Sequence, residues 1–261
     1  MDLEVDGHAT LVTAASSGLG RASAQSLARG GADVAICGRD QDRLEDATAS
    51  LRDAGPGDVL PVQADLTDRP AVESLVDRVV DAFGGLDHLV TSAGGPPSTT
   101  FAETSEEEWY EAYDQLVMSV VWTVEAARPH LAASGHGSVV CITSRTVQEV
   151  ADGLVLSNAV RRGVTGLAKT LSRELAPAIR VNEVRPGTIE TPRIEELIEA
   201  GVTRGDFEDY EGGLTALSRD IPAGRIGDPE ELGDVVAFLA SPRASYVNGA
   251  AVPVDGGHLR S

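Results

Sequence analysis

The chain has 261 residues, enough for one large α/β domain whose core needs no disulfide. Its net charge of −20, from 41 acidic against 21 basic residues, excludes nucleic acid and anionic membrane as partners, and 4% aromatic content excludes a base-stacking surface. The N-terminus has no basic and apolar leader, and no window approaches the ~20 apolar residues of a membrane span, so a soluble cytoplasmic protein is expected.

The two cysteines, Cys37 and Cys141, each lie in an apolar run and read as small buried hydrophobes. Lys169 is the single lysine. Loss of lysine with gain of carboxylate fits a surface kept hydrated in concentrated salt, as in a halophile. A GC-rich genome produces the same bias.

In chain order, short apolar runs alternate with helical segments. The predicted strands are His8–Ala14, Asp33–Gly38, Val59–Gln63, Leu86–Ser92, Ser138–Ser144, Ile179–Val184 and Ala250–Val254. Helices are predicted over 18–30, 40–54, 68–83, 105–133, 153–176, 193–200, 206–219 and 228–240. Asp68 and Asp228 precede prolines as N-caps with proline at the first helical position, while Gly30-Gly31 and Gly84-Gly85 close helices. This alternation predicts a doubly wound, seven-stranded parallel sheet with helices on both faces, a Rossmann fold in one domain. Residues 190–226 interrupt the pattern. They are acidic, glycine-punctuated and irregular, and are either a substrate lid beyond the strand ends or a decorated surface loop.

The first strand runs into Thr13-Ala14-Ala15-Ser16-Ser17-Gly18-Leu19-Gly20. Gly18 and Gly20 let the backbone approach a pyrophosphate at which the next helix aims its N–H groups, and Ala14 stands where the tightest turn usually carries glycine. Asp65, followed by Leu66, ends the third strand and is placed to accept from an adenine amino group. Ser92-Ala93-Gly94 follows the fourth strand, where small residues let the chain pass beneath a ribose. After the sixth, Pro186-Gly187-Thr188-Ile189 and Thr191 can hold a carboxamide, and Asp255-Gly256-Gly257 closes the chain.

In these motifs and their order, over nearly its whole length, the chain resembles the short-chain dehydrogenase/reductase (SDR) family. It is most similar to 3-oxoacyl-(acyl carrier protein) reductase-like members, and within them to a subgroup with an imperfect glycine loop and incomplete catalytic tetrad. The resemblance implies a nicotinamide cofactor. The second strand ends in Gly38-Arg39 where NAD-preferring members place a carboxylate, so NADP(H) is expected over NAD(H), with Arg39 on the 2′-phosphate. Alternatively Arg39 pairs with Asp40 or Asp42 on the surface.

In the family a tyrosine, its pKa lowered by a lysine, supplies the proton, a serine holds the substrate oxygen and an asparagine orders a water relay. Here Ser144 matches the serine, but Ser157 stands at the tyrosine position, Arg161 at the lysine position and Leu116 at the asparagine position. A serine hydroxyl is a far weaker acid than a phenol. Arg161 keeps a positive charge, and could hold ribose hydroxyls, but cannot relay a proton. Tyr110 and Tyr113 read as packing or an oligomer contact. His88, His130 and His136 have no metal-ligand spacing and read as surface histidines. Arg145 could meet a substrate carboxylate or phosphate, or pair with Glu149, and Arg193 could admit an anionic ligand.

Two functions follow. One is an NADP(H)-dependent oxidoreductase interconverting a small-molecule carbonyl and alcohol. The other is a catalytically silent NADP(H)-binding homologue acting as sensor or structural partner. The resemblance further implies a homotetramer, or a homodimer, built on the helices at 105–133 and 153–176 and the final strand.

Overall fold

The computed structural model describes residues 2–260. Seven strands form one parallel sheet in the order β3-β2-β1-β4-β5-β6-β7: β1 Ala9–Val12, β2 Asp33–Gly38, β3 Val59–Gln63, β4 His88–Thr91, β5 Ser138–Ile142, β6 Arg180–Pro186 and β7 Ala251–Val254. The doubly wound architecture is the one expected, and most strands are shorter than predicted by a residue or more at an end. No described helix is long and apolar enough to cross a membrane.

Alternation along each strand divides the core in two. Leu11, Ala35, Cys37, Leu89, Val139 and Cys141 face one side, beneath α3 (Arg69–Phe83), α5 (Ser119–Ser134) and α6 (Val155–Glu174). Val12, Val34, Ile36, Val90, Val140 and Ile142 face the other, beneath α1 (Gly18–Arg29), α2 (Gln41–Ala54) and α9 (Pro229–Ala240). Side chains of period two leave no polar face on a sheet covered on both sides. Both cysteines are buried there, and burial pushes the Cys37 thiol up to about 12 and that of Cys141 to about 11.

Three expectations need correction. The segment 105–133 is not one helix: α4 (Glu106–Tyr113) and α5 are joined by a π turn, Asp114–Met118, which shifts the register of everything beyond it. Within 190–226 the helices expected over 193–200 and 206–219 do form but with other ends, as α7 (Pro192–Arg204) and α8 (Tyr210–Ser218), packed together through Phe207 and Ile198 against Gly201 and Gly213. Pro70 occupies the second position of α3, whose N-cap is Asp68. Gly84, at φ 78°, closes α3 as expected.

Sheet order reverses between β1 and β4, and the chain leaves their C-terminal ends in opposite directions. Thr13 ties the two ends: its hydroxyl donates to the Ser92 carbonyl at 2.7 Å and accepts from the Ser92 N–H at 2.9 Å. A cleft opens beyond this staple, where ligands bind in open α/β sheets.

Candidate active site

The cleft has a volume of about 350 Å³, and its floor is the glycine loop. Ala14 holds a left-handed φ of 46°, while a Cβ on Gly20 would sit 2.6 Å from the Ala14 carbonyl oxygen, so glycine is obligatory at 20. Helix α1 begins here with an extended Ser17 that makes no side-chain cap, and no acidic residue lies in its first turn. Its first N–H groups thus face the cleft without a carboxylate to meet them, which suits a pyrophosphate. Opposite, the Thr191 methyl lies 3.8 Å from where a Gly18 Cβ would be, so α1 and α7 converge on the same space.

Of the residues expected to hold cofactor, Ser17, Gly18, Leu19, Gly20, Ser92, Gly94, Pro186, Gly187, Thr188, Ile189 and Thr191 line the cleft. Ser16, Arg39 and Asp65 gather beyond it, at the ends of β1, β2 and β3. Ser16 packs over Gly38, where a Cβ would meet its hydroxyl at 2.8 Å. Arg39 is exposed and its charge acts on Asp65, whose carboxyl is held below its usual range first by the Thr67 N–H. Among the described residues Arg39 pairs with neither Asp40 nor Asp42, and Asp40 instead meets Arg43 at 3.6 Å. Ala15 and Leu66 turn their side chains into the two cores, leaving only backbone for a ligand, and the Thr13 hydroxyl is spent on its staple.

At the chemistry end, β5 delivers Ser144 as the N-cap of a short 3₁₀ turn, Arg145–Val147, where its Oγ accepts from the Thr146 N–H at 3.2 Å. The first turn of α6 carries buried Ser157. Its Oγ lies 3.2 Å from the Thr146 hydroxyl and accepts from Arg161 Nε at 3.2 Å. Arg161 also donates to the Gly94 carbonyl through Nη2. Desolvation in the cleft lowers its guanidinium to about 10, so it remains a cation at neutral pH. The helix therefore brings Ser157 and Arg161 into the cleft that Ser144 and Gly94 also line.

Leu116 is buried in the core, and its neighbour Gln115 reaches back from the π turn to the Ala93 carbonyl at 2.8 Å. Thr146, which directly follows Arg145 and was expected to enter the pocket with it, lines the cleft, whereas Gln115, Thr143 and the segment 95–98 were missed by sequence reasoning. Only a prediction of the π turn would have pointed Gln115 at the site. Behind the cleft lies a second missed feature, buried Glu183. It accepts from Thr143 at 2.6 Å and Thr165 at 2.9 Å and pairs with Arg185 at 3.1 Å. Two opposite charges within an apolar strand were the available signal.

Tyr110 and Tyr113 are exposed and do not line the cleft, so neither packs in the core nor replaces the tyrosine. His88 corrects the surface assignment outright. It is fully buried in β4, bonded at 2.9 Å to both His8 and Ser138, and burial first, then the charges of His8 and Arg180, lower it to about 3. No group of three metal-ligating side chains occurs among the described residues.

Sheet order, glycine loop and the Ser144–Ser157–Arg161 cluster together define a dinucleotide-binding protein of the oxidoreductase type. The chain belongs to the short-chain dehydrogenase/reductase family: residues 13–258 match the family described as enoyl-(acyl carrier protein) reductase. It is 35% identical over 256 residues to 3-oxoacyl-(acyl-carrier-protein) reductase FabG from Thermotoga maritima, covering 98% of this chain and 99% of that protein. Among solved structures, L-sorbose reductase from Gluconobacter frateurii, complexed with NADPH and L-sorbose, superposes with a TM-score of 0.95 at 32% identity over 100% of both chains. An NADPH-bound short-chain oxidoreductase from Pseudomonas aeruginosa PAO1, described as containing an atypical catalytic center, gives 0.89 at 32% identity over 98% of each.

Proposed function

We propose that the protein is an NADP(H)-dependent oxidoreductase interconverting a carbonyl and an alcohol, 3-oxoacyl reductase-like, with Ser157 and Arg161 in place of tyrosine and lysine. The observation that carries it is the chain Arg161–Ser157–Thr146 next to Ser144, inside the cleft that the glycine loop opens. NADPH, when bound, supplies the hydride to the carbonyl carbon. Ser144 has its oxygen engaged by the Thr146 N–H, which leaves its proton to donate to the substrate oxygen. Arg161 donates to Ser157 and sets a positive charge beside the oxygen that gains negative charge, while ordered water supplies the proton to the nascent alcohol. The same guanidinium stands where ribose hydroxyls would be held.

The preference for NADP(H) rests on Gly38, whose position is closed to a carboxylate side chain by Ser16, and on Arg39 beside it, which forms no ion pair among the described residues. NADPH complexes of both structural relatives agree with it. A fluorescence titration checks this directly. Arg39→Ala should weaken NADPH by roughly tenfold or more, the ~1.5–3 kcal/mol of a charge-assisted bond, and leave NADH nearly unchanged. Equal losses for both would overturn the assignment.

Turnover is tested by following the nicotinamide absorbance against ketones and β-ketoacyl thioesters. Ser144→Ala should abolish it with NADPH binding unchanged, and Arg161→Ala should abolish it with NADPH bound more weakly through loss of the ribose contact. A second reading, a silent NADP(H) sensor or structural partner, is favoured by the absence of tyrosine and lysine from the described lining of the cleft. NADPH binding with no turnover in low or high salt would select it. A cytoplasmic homotetramer or homodimer from a salt-adapted source completes the proposal, supported by exposed Tyr110 and Tyr113 and by the open edge of β7.

A further inference from the structure

Of the 261 residues, 41 are Asp or Glu, yet none lines the cleft among the described residues, while Arg145, Arg161 and Arg193 all do. In a chain with twice as many acids as bases, this reversal of sign is local and specific. Arg145 is half-buried, follows Ser144 directly, and has no carboxylate within ion-pair distance among the described residues. The nearby carboxylate of Glu149 accepts from the Arg260 N–H at 2.8 Å. The positive charge of Arg145 acts on His258. Arg193 stands at the rim, donating to Ser98 at 2.6 Å and pairing with Glu196 at 3.7 Å, so that α7 and the loop after β4 meet over the opening.

A half-buried guanidinium without a counter-ion is costly, and a ligand anion would relieve that cost. We propose that the substrate is an oxo acid or the corresponding hydroxy acid: its carboxylate bound by Arg145 with Arg193 closing the mouth, its carbonyl oxygen at Ser144, and its apolar chain against Leu154 and Leu197. One planar fork beside the serine matches a carboxylate, which accepts two parallel N–H bonds. Arg161, committed to Ser157 and Gly94, belongs to the reaction centre. The inference rests on the reading of the cleft as a reductase site.

Calorimetry at low ionic strength tests it, because such pairs are screened by salt. The probes are 4-methyl-2-oxopentanoate, its methyl ester and dihydroxyacetone phosphate, each titrated with and without saturating NADP+, alongside a separate NADPH titration. The acid should bind at least about tenfold more tightly than the ester. Arg145→Gln should erase that preference, Arg145→Lys should keep part of it, and the NADPH Kd should stay within about twofold throughout. No heat from the acid at millimolar concentration, equal affinity of acid and ester, or a preference that survives Arg145→Gln overturns the inference. Tighter binding of dihydroxyacetone phosphate than of the acid overturns the carboxylate assignment. If NADPH fails to bind while the acid preference persists, the reductase reading falls and the anion site stands. If NADPH binds and the preference is absent, the reverse holds.

Discussion

Ala14 and His88 each work against a rule of their residue type. An L-residue in the left-handed region costs about 1–2 kcal/mol, and Ala14 holds φ 46° because the loop must turn beneath Gly20. Ala14→Gly should relieve this, less the greater freedom of glycine in the unfolded chain, for a net gain of roughly 0.5–1 kcal/mol and a rise in Tm of about 1–3 °C. A fall in Tm would show the turn to be unstrained. His88 sits in a directional chain. Ser138 donates to the Ala240 carbonyl at 2.9 Å, so it accepts from His88 Nδ1–H, which leaves His88 Nε2 to accept from His8. The folded protein keeps His88 neutral down to about pH 3, whereas the unfolded chain takes up a proton near the ordinary 6.5. Between these values the unfolded state binds the extra proton, so stability falls as pH drops, by about 1.4 kcal/mol per unit. The stability difference between wild type and His88→Gln, from urea midpoints, should therefore shrink from pH 6 to pH 4. Parallel curves would refute it.

Elements carry the site through their ends and their interruptions. The π turn at 114–118 is where the helix entering the site changes register, sending Leu116 into the core and Gln115 to the Ala93 carbonyl. The pair α7–α8 lies outside both core clusters and is held by side chains seated on two glycines. A Cβ on Gly213 would come within 2.5 Å of Ile198, and one on Gly201 within 2.4 Å of Phe207. Gly213→Leu should therefore pry α8 from α7, exposing residues 190–226 to limited proteolysis and raising KM. The global unfolding free energy should move by less than about 1 kcal/mol, as expected for a sub-globally stable unit. A large loss of global stability would place α7 and α8 within the main cooperative core.

Across the whole molecule, charge outweighs every other surface property. Ten ion pairs occur among the described residues, against 41 carboxylates, so most of the negative surface has no cation in contact. Salt weakens both the pairs and the repulsion, and repulsion is here the larger of the two. The Debye length falls from ~10 Å at 0.1 M to ~3 Å at 1 M, so Tm should climb by several degrees over that range of KCl. A decline would mean that the surface pairs outweigh the self-repulsion.

What the sequence determined by itself was local. Apolar runs of period two, glycines at 18 and 20, and aspartates before prolines name the strands, the loop and the helix starts, because each depends on neighbours within a few residues. The candidate positions 144, 157 and 161 came from the resemblance to the family, read against landmarks along one strand and one helix. Tertiary structure decided the rest. His88 meets His8 from 80 residues away, Arg161 finds the Gly94 carbonyl from 67, and the Glu183–Arg185 pair is closed by Thr143 and Thr165. The lining of the cleft, free of acids among the described residues, is assembled from segments beyond the C-terminal ends of four strands and from the start of α6. Burial and electrostatics are properties of what surrounds a side chain in space, and periodicity along the chain carries no record of which distant segment will arrive there.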